Sequence, residues 1–310
     1  MIVVSDNFVQ KPKVSVVIIT YNQEKYIAQA IESIVCQKTT FPFEIIIAED
    51  CSTDSTRDIC LEYQKRYSSC VQLILQEKNR GLIENYKSAL KLCKGDYIAE
   101  CGGDDYWCDE YKLQKHVDYM DKHDDVVVTY HDVKIVDVDA KVLRPSFLPE
   151  NRKINFSSEQ LKKALLLLPQ TMCFRNIVVK EVERTLSPYV YNEDLFVTSI
   201  LGNYGTGTYL SNINNTAYRI VDNSVWMGQT RVKKTMMAIG SNAELKNYYK
   251  RKKDYKYSNY FRDKVISLFA DVPISQLSQE EKHFFLTMLR RYYHIIGVKN
   301  CIHYLKQMYL

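Results

Sequence analysis

Val14–Thr20 reads VSVVIIT, a continuous and mostly β-branched run of strand length. Such a run, with no polar alternation, is the signature of a strand covered on both faces. Directly downstream, Ile27, Ala30, Ile31 and Ile34 recur at helical spacing and give a helix one apolar face. The same pairing repeats along the chain. Phe43–Glu49 (FEIIIAE) is a second apolar strand, with Ser52 or Thr53 placed to cap the helix that follows. Val71–Leu75 (VQLIL) is a third, followed by a helix with Leu82, Tyr86, Ala89 and Leu90 on one side. Residues 96–101 (DYIAEC) form a fourth, leading into a polar loop with two glycines and two aspartates. Strands alternating with helices predict an α/β fold around a mainly parallel sheet. In such sheets ligands bind at the carboxyl ends of the strands. Residues 20–22, 49–54, 79–81 and 102–105 are thereby expected around one crevice.

Farther on, a helix near 110–123 precedes a strand over 126–136. Residues 140–157 read as loop, and 159–168 as a short helix ended by Pro169. A helix and short strands mix across 192–226. From about 230 the pattern is helical, with Pro273 the main break. Two parts are therefore expected, an α/β domain over 1–229 and a helical region over 230–310. No Pro/Gly/Ser-rich linker separates them, so the helices are expected to pack on the α/β body.

The chain has 310 residues, 46% hydrophobic and 25% charged, the composition of a folded globular protein. It contains no apolar stretch long enough to cross a bilayer. The start, MIVVSDNFVQKPK, lacks a basic segment and a long apolar core, so no signal peptide is expected. Nine cysteines without a C-x-x-C pair fit free thiols in a reducing cytoplasm better than disulfides or zinc ligands. Six histidines show no metal-cluster spacing and read as structural or surface residues. The net charge of +5 is uneven: residues 230–310 hold 16 Lys/Arg against 6 Asp/Glu, which leaves 1–229 at −5. Residues 246–264 hold eight Lys/Arg and five tyrosines. That run is either a solvated helix face whose tyrosines pack inward or a contact for anionic lipid head groups at the inner face of the cell membrane. No nucleic-acid-binding motif is present.

The strand ends deliver Tyr21-Asn22, Glu49-Asp50, Arg80 and Asp104-Asp105. Singly, each is an ordinary loop residue; their shared location predicts a site. The segments VSVVIITYNQEKYIAQAIESI, IIIAEDCSTDST and NRGLIENYKSALKLCKGDYIAECGGDDYW, in this order, resemble the family 2 glycosyltransferases, which have the GT-A fold. The resemblance covers residues 13–136 and continues more weakly to 226. It implies an inverting enzyme that moves a sugar from a nucleotide-diphosphate sugar, a UDP-sugar above all, to a hydroxyl of a glycan or lipid-linked acceptor in surface polysaccharide synthesis.

The resemblance also assigns roles. Asp104 takes the metal-binding position of the family's D-x-D element, with Gly103 before it and Asp105 beside it, for Mn2+ or Mg2+. Gly102 stands where the family often has a ribose-contacting aspartate, and Glu100, two residues earlier on the same strand face, is the expected substitute. Asp50 is the position that accepts a hydrogen bond from the base, uracil N3–H in the commonest case. Thr20, Tyr21 and Asn22 form the loop around the base, although Tyr21 reads equally as a core aromatic. Arg80, in NRGL, lies near base and phosphates. YNEDLFVTSIL puts Asp194 in the position of the general base, with Glu193 beside it, although carboxylates also favour helix starts. In TAYRIVDNSVW, Arg219 and Trp226 are expected to contact phosphate and acceptor sugar. Val221 and Asp222 replace the histidine that one bacterial subgroup has there. Residues 169–176 (PQTMCFRN) match an acceptor-side stretch, with Arg175 toward substrate. Two other functions stay open: a sugar nucleotidyltransferase, against which the glycine-free stretch 18–26 counts, and a catalytically silent sugar-nucleotide binder.

Overall fold

The computed structural model describes residues 2–4, 11–165, 167–221 and 229–309. Four strands, β2 (Val14–Thr20), β3 (Phe43–Glu49), β4 (Val71–Leu75) and β5 (Tyr97–Gly102), run parallel. Each is separated from the next by one helix: α1 (Ile27–Val35), α2 (Thr56–Arg66) and α3 (Leu82–Leu90). The full sheet has eight strands in the order β1-β4-β3-β2-β5-β9-β6-β10. Strand β1 (Ile2–Val4) adds antiparallel to β4 at one edge. At the other side β9 (Cys173–Arg175) runs antiparallel between β5 and β6 (Val126–Tyr130), and β10 (Thr206–Tyr209) closes parallel to β6. The apolar runs have a direct consequence. Val14, Val16, Ile18, Ile45 and Ile47 bury on one face with α1 and α4 (Lys112–Met120). Val17, Ile46, Ala48, Ile74 and Ile98 bury on the other with α3. Helix α3 buries Ile83, Tyr86, Ala89 and Leu90, so the contact stripe starts at Ile83 rather than Leu82.

The expected single strand over 126–136 is two. After β6 the chain turns at His131-Asp132 and continues as β7 (Val133–Val136) in a second, three-stranded sheet of order β11-β7-β8. The turn is fixed by the buried Asp132 carboxylate, which accepts from the backbone N–H groups of Val133, Phe147 and Leu148. Within the expected loop 140–157 lies β8 (Val142–Arg144). The helix expected to Leu168 is α5 (Ser158–Lys162); it opens with a Ser157–Gln160 capping box and stops where Ala164 takes a left-handed φ of 57°. Short α6 (Val179–Thr185) and α7 (Glu193–Leu201) precede β10 and β11 (Thr216–Arg219).

Four helices follow: α8 (Arg231–Arg251), α9 (Tyr255–Ala270), α10 (Gln279–Ile296) and α11 (Val298–Tyr309). Leu245, Tyr248, Tyr249, Tyr257 and Phe261 share one buried cluster with Phe196, Val197 and the sheet. A second cluster, with Phe269, Phe285, Met288 and Tyr304, is the helices' own. Among the described residues no helix is long and apolar enough to cross a membrane, and the cysteines are free.

Candidate functional site

The parallel register brings the ends of β2, β3 and β5 to one edge, and the loops beyond them interlock. Asn22 carries a left-handed φ of 51°, which asparagine tolerates. Its N–H donates to Ser52 Oγ at 2.9 Å and its Oδ1 accepts from Thr53 N–H at 2.8 Å. Ser52 and Thr53 are thus engaged with the neighbouring loop and do not cap α2; Asp54 takes that role by accepting from Thr56 N–H at 3.0 Å. Asn22 thereby stitches the two loops together. Tyr21 is 43% exposed, so it is no core aromatic.

Asp50 is buried, and its two carboxylate oxygens accept from Arg80 N–H and Gly81 N–H, both at 2.8 Å. Burial pushes its pKa above the ordinary carboxylate range against the pull of these two donors. Each oxygen keeps a lone pair for a further donor. The Arg80 side chain is more exposed and lies 3.6 Å from Glu84.

The GGDD turn sits on the β2 loop. Gly103 N–H donates to the Ile19 carbonyl at 3.1 Å, and a Cβ at Gly103 would stand 2.3 Å from Gln23 Oε1 and 2.7 Å from Thr20 Oγ1. Only glycine permits this approach. Thr20 Oγ1 in turn donates to Gln23 Oε1 at 2.8 Å, and Gln23 hydrogen-bonds Asp104. A Cβ at Gly102 would lie 2.9 Å from an Asp104 oxygen, so the position that lacks its aspartate faces this carboxylate. Asp105 is buried beside it and accepts from Arg219 N–H at 2.9 Å. Burial pushes both acids up, and the Asp104 charge raises Asp105 further. A divalent cation would reverse that cost at Asp104. Among the described residues no group of three His, Cys, Asp or Glu is arranged to hold a metal. The residues fit a cation of the Mg2+ or Mn2+ kind, which takes one or two carboxylates and completes its shell with water and substrate phosphate.

Arg219 does not reach outward as expected. It is buried, with its guanidinium donating to the Asp104, Asp137 and Val138 carbonyls and to Gln29 Oε1. Its cation lies 4.7 Å from the Tyr26 ring centre and 5.4 Å from that of Tyr106. These bonds make it the buttress of the GGDD turn rather than a phosphate ligand. Arg175 is also a correction. It donates to the Val126 and Met120 carbonyls and to Tyr97 Oη, at the opposite, amino end of β5. Trp226 and Asp222 lie outside the described residues.

Glu193 and Asp194 open α7 without a side-chain cap from Asn192. Asp194 Oδ1 accepts from Leu195 N–H at 2.8 Å. Burial raises Asp194 to about 6 and Glu193 to about 8, the latter also through the Asp194 charge. Glu100 joins them. Its buried carboxylate accepts from Tyr86 Oη, and burial raises it to about 7, with the Asp194 charge adding to the effect. Glu100 is thus bound to Tyr86 and lies within reach of the Asp194 charge.

Three participants were missed by sequence reasoning. Gln23 and Tyr86 had a signal, since both lie inside the matching segments. Lys112 had none: it is buried under the turn, with Nζ donating to the Gln170 carbonyl and lying 4.0 Å from the Trp107 ring centre. Burial lowers it to about 7. His116 and His131 are buried nearby, and the other described histidines are exposed.

The profile of glycosyl transferase family 2 matches residues 15–179, more than half of the chain. The chain belongs to this family. Among curated relatives, the uncharacterized protein Rv1520 of Mycobacterium tuberculosis is 45% identical over 122 residues, 39% of this chain and 35% of that protein. A poly(ribitol-phosphate) beta-glucosyltransferase of Bacillus spizizenii is 38% identical over 97 residues, 30% of this chain and 15% of its own length. The chain thus matches about a third or less of the length of these relatives. Solved structures agree in fold. TarS 1–349 of S. aureus in complex with UDP-GlcNAc superposes with a TM-score of 0.62 at 18% identity, over 96% of this chain and 88% of that one. The mannosyltransferase PcManGT of Pyrobaculum calidifontis, in complex with GDP-Man and Mn2+, gives 0.56 at 15% identity over 97% and 86%. This family 2 glycosyltransferase therefore has the GT-A sheet with helices after it.

Proposed function

We propose that this family 2 glycosyltransferase transfers a sugar from a UDP-sugar, with inversion, to a hydroxyl of a glycan or lipid-linked intermediate in cell-surface polymer synthesis. The observation that carries the reading is the use of β5 at both ends of the chemistry: its carboxyl end presents Asp104, and its Glu100 faces the start of α7, where Asp194 lies. In this reading Asp50 and the adjoining Arg80–Gly81 backbone hold the base, and Tyr21 covers it from solvent. A cation held at Asp104 supplies neutralisation of the diphosphate oxygens. Asp194 takes the acceptor proton as the acceptor oxygen bonds to the anomeric carbon; the bond from that carbon to the diphosphate breaks, and its electron pair leaves with the nucleotide. Attack from the face opposite the leaving group inverts the centre. A base near 6 is ionised at neutral pH yet basic enough to accept the proton. Support for the donor class and the acceptor comes from the ligand of TarS and from the polymer named for the Bacillus spizizenii relative.

The test is release of free nucleotide from a panel of UDP- and GDP-sugars with Mn2+, for wild type and Asp104→Ala. Wild type is expected to release UDP slowly without acceptor, and the variant to bind donor without any Mn2+ enhancement. Release of pyrophosphate, or equal Mn2+ enhancement in the variant, would remove the reading.

A further inference from the structure

The basic region contains a surface that the transfer chemistry does not use. From Lys282 to the chain end the sequence holds five Lys/Arg and no Asp or Glu. Helix α11 is anchored through Tyr304, which meets the rings of Phe269 and Phe285, and through buried Met308. Its other side is open. Val298 is 63% exposed, Ile302 49% and Leu305 37%, and their spacing of four and three residues sets them in one stripe. On a helical projection Lys299 and Lys306 lie along one border of that stripe. Gly297, at a φ of 84°, separates α11 from α10, whose last turns leave Tyr293 54% exposed. Beside that end lie cations of α8: partial burial together with the charges of Lys246 and Lys250 disfavours the proton on His294. Among the described residues Arg290, Lys299 and Lys306 have no ion-pair partner.

We propose that this face, the α11 stripe with its flanking lysines and the end of α10, docks on an anionic lipid bilayer, with Val298, Ile302 and Leu305 entering the head-group boundary. Aliphatic side chains bordered by lysines are the composition of a helix lying in a membrane interface, where the lysine stems stay apolar and the ammonium groups meet lipid phosphate. A second copy of the chain is disfavoured as occupant, because a self-complementary contact would oppose two surfaces of the same positive sign. The expected lipid contact through 246–264 changes character. Tyr248, Tyr249 and Tyr257 are buried in the protein, Lys252 pairs with Glu181 and Lys256 with Glu159. That run contributes long-range charge and the exposed Tyr255, and the insertion is done by α11. The proposal stands independently of the donor and acceptor assigned above.

The test is flotation of the full chain with vesicles of phosphatidylcholine alone and of phosphatidylcholine mixed with phosphatidylglycerol. Wild type should float with the anionic vesicles only and be released as salt rises. Val298→Ser, Ile302→Ser and Leu305→Ser combined should abolish flotation while leaving the melting temperature unchanged, since all three side chains are exposed. Lys299→Gln with Lys306→Gln should weaken anionic-vesicle binding by about fivefold per lysine. No flotation of wild type, or undiminished flotation of the serine variant, overturns the proposal. So does a wild-type dimer in sedimentation that the serine variant loses, which would assign the face to a second copy.

Discussion

Two acid pairs, Asp104–Asp105 beyond the end of β5 and Glu193–Asp194 at the start of α7, sit in different electrostatic settings. The first lies against the Arg219 cation and against Lys112, itself lowered to about 7 by burial, and both reduce the cost of the Asp105 charge. The second faces another carboxylate, Glu100, and its relief comes from backbone N–H groups at the helix start. Burial nevertheless raises both acids of the first pair, Asp105 well above the ordinary carboxylate range, so a bound cation is what would hold Asp104 ionised. A pair facing like charge holds its protons up to near-neutral pH and suits proton transfer. In the proposed mechanism the same residue types would serve different chemistry through their neighbours.

The sharpest way to break this contrast is Asp194→Asn, which keeps the shape and removes the proton acceptor. Single-turnover transfer should fall by about 10²–10⁴, with donor affinity unchanged. In wild type the rate should rise with pH through about 6 as Asp194 ionises. A variant that transfers at the wild-type rate would pass the base role to Glu193.

Arg219→Gln tests the other pair. Loss of the guanidinium leaves buried carbonyls and the Asp105 carboxylate uncompensated, so unfolding free energy should drop by about 3 kcal/mol, measured by denaturant titration. An unchanged midpoint would show that Lys112 alone supports the turn.

The smallest effect is expected for Glu193→Gln. A carboxyl raised to about 8 in the fold and ordinary when unfolded is at no disadvantage below about pH 4; its cost appears as pH rises and is complete above 8. The variant avoids that cost, so its melting temperature should match wild type near pH 4 and exceed it by roughly 2–4 °C at pH 8.5. A loss of stability at pH 8.5 would mean that Glu193 is ionised and paired.

The parallel sheet was legible because Val14–Thr20, Phe43–Glu49 and Val71–Leu75 carry apolar residues on both faces of the pleat, and burial on two faces follows from that. The gathering of Asp50, Asp104 and the β2 loop followed from parallel direction alone. The break at His131-Asp132 was not legible, since 126–136 is apolar on both sides of it and the turn depends on an aspartate collecting N–H groups from residues far along the chain.

Side-chain direction divides the rest. Sequence by itself determined the sheet, its crevice and the positions of Asp104 and Asp194, because periodicity and local motif are properties of neighbouring residues. Only the tertiary structure decided that Arg219 and Arg175 turn inward, that Glu100 meets Tyr86, and that α11 keeps an apolar stripe in the open. A charged side chain takes whichever partners packing leaves near it, and those partners come from segments tens of residues away. The chain encodes which groups exist; their burial, and with it their protonation and use, is set only when the elements close on one another.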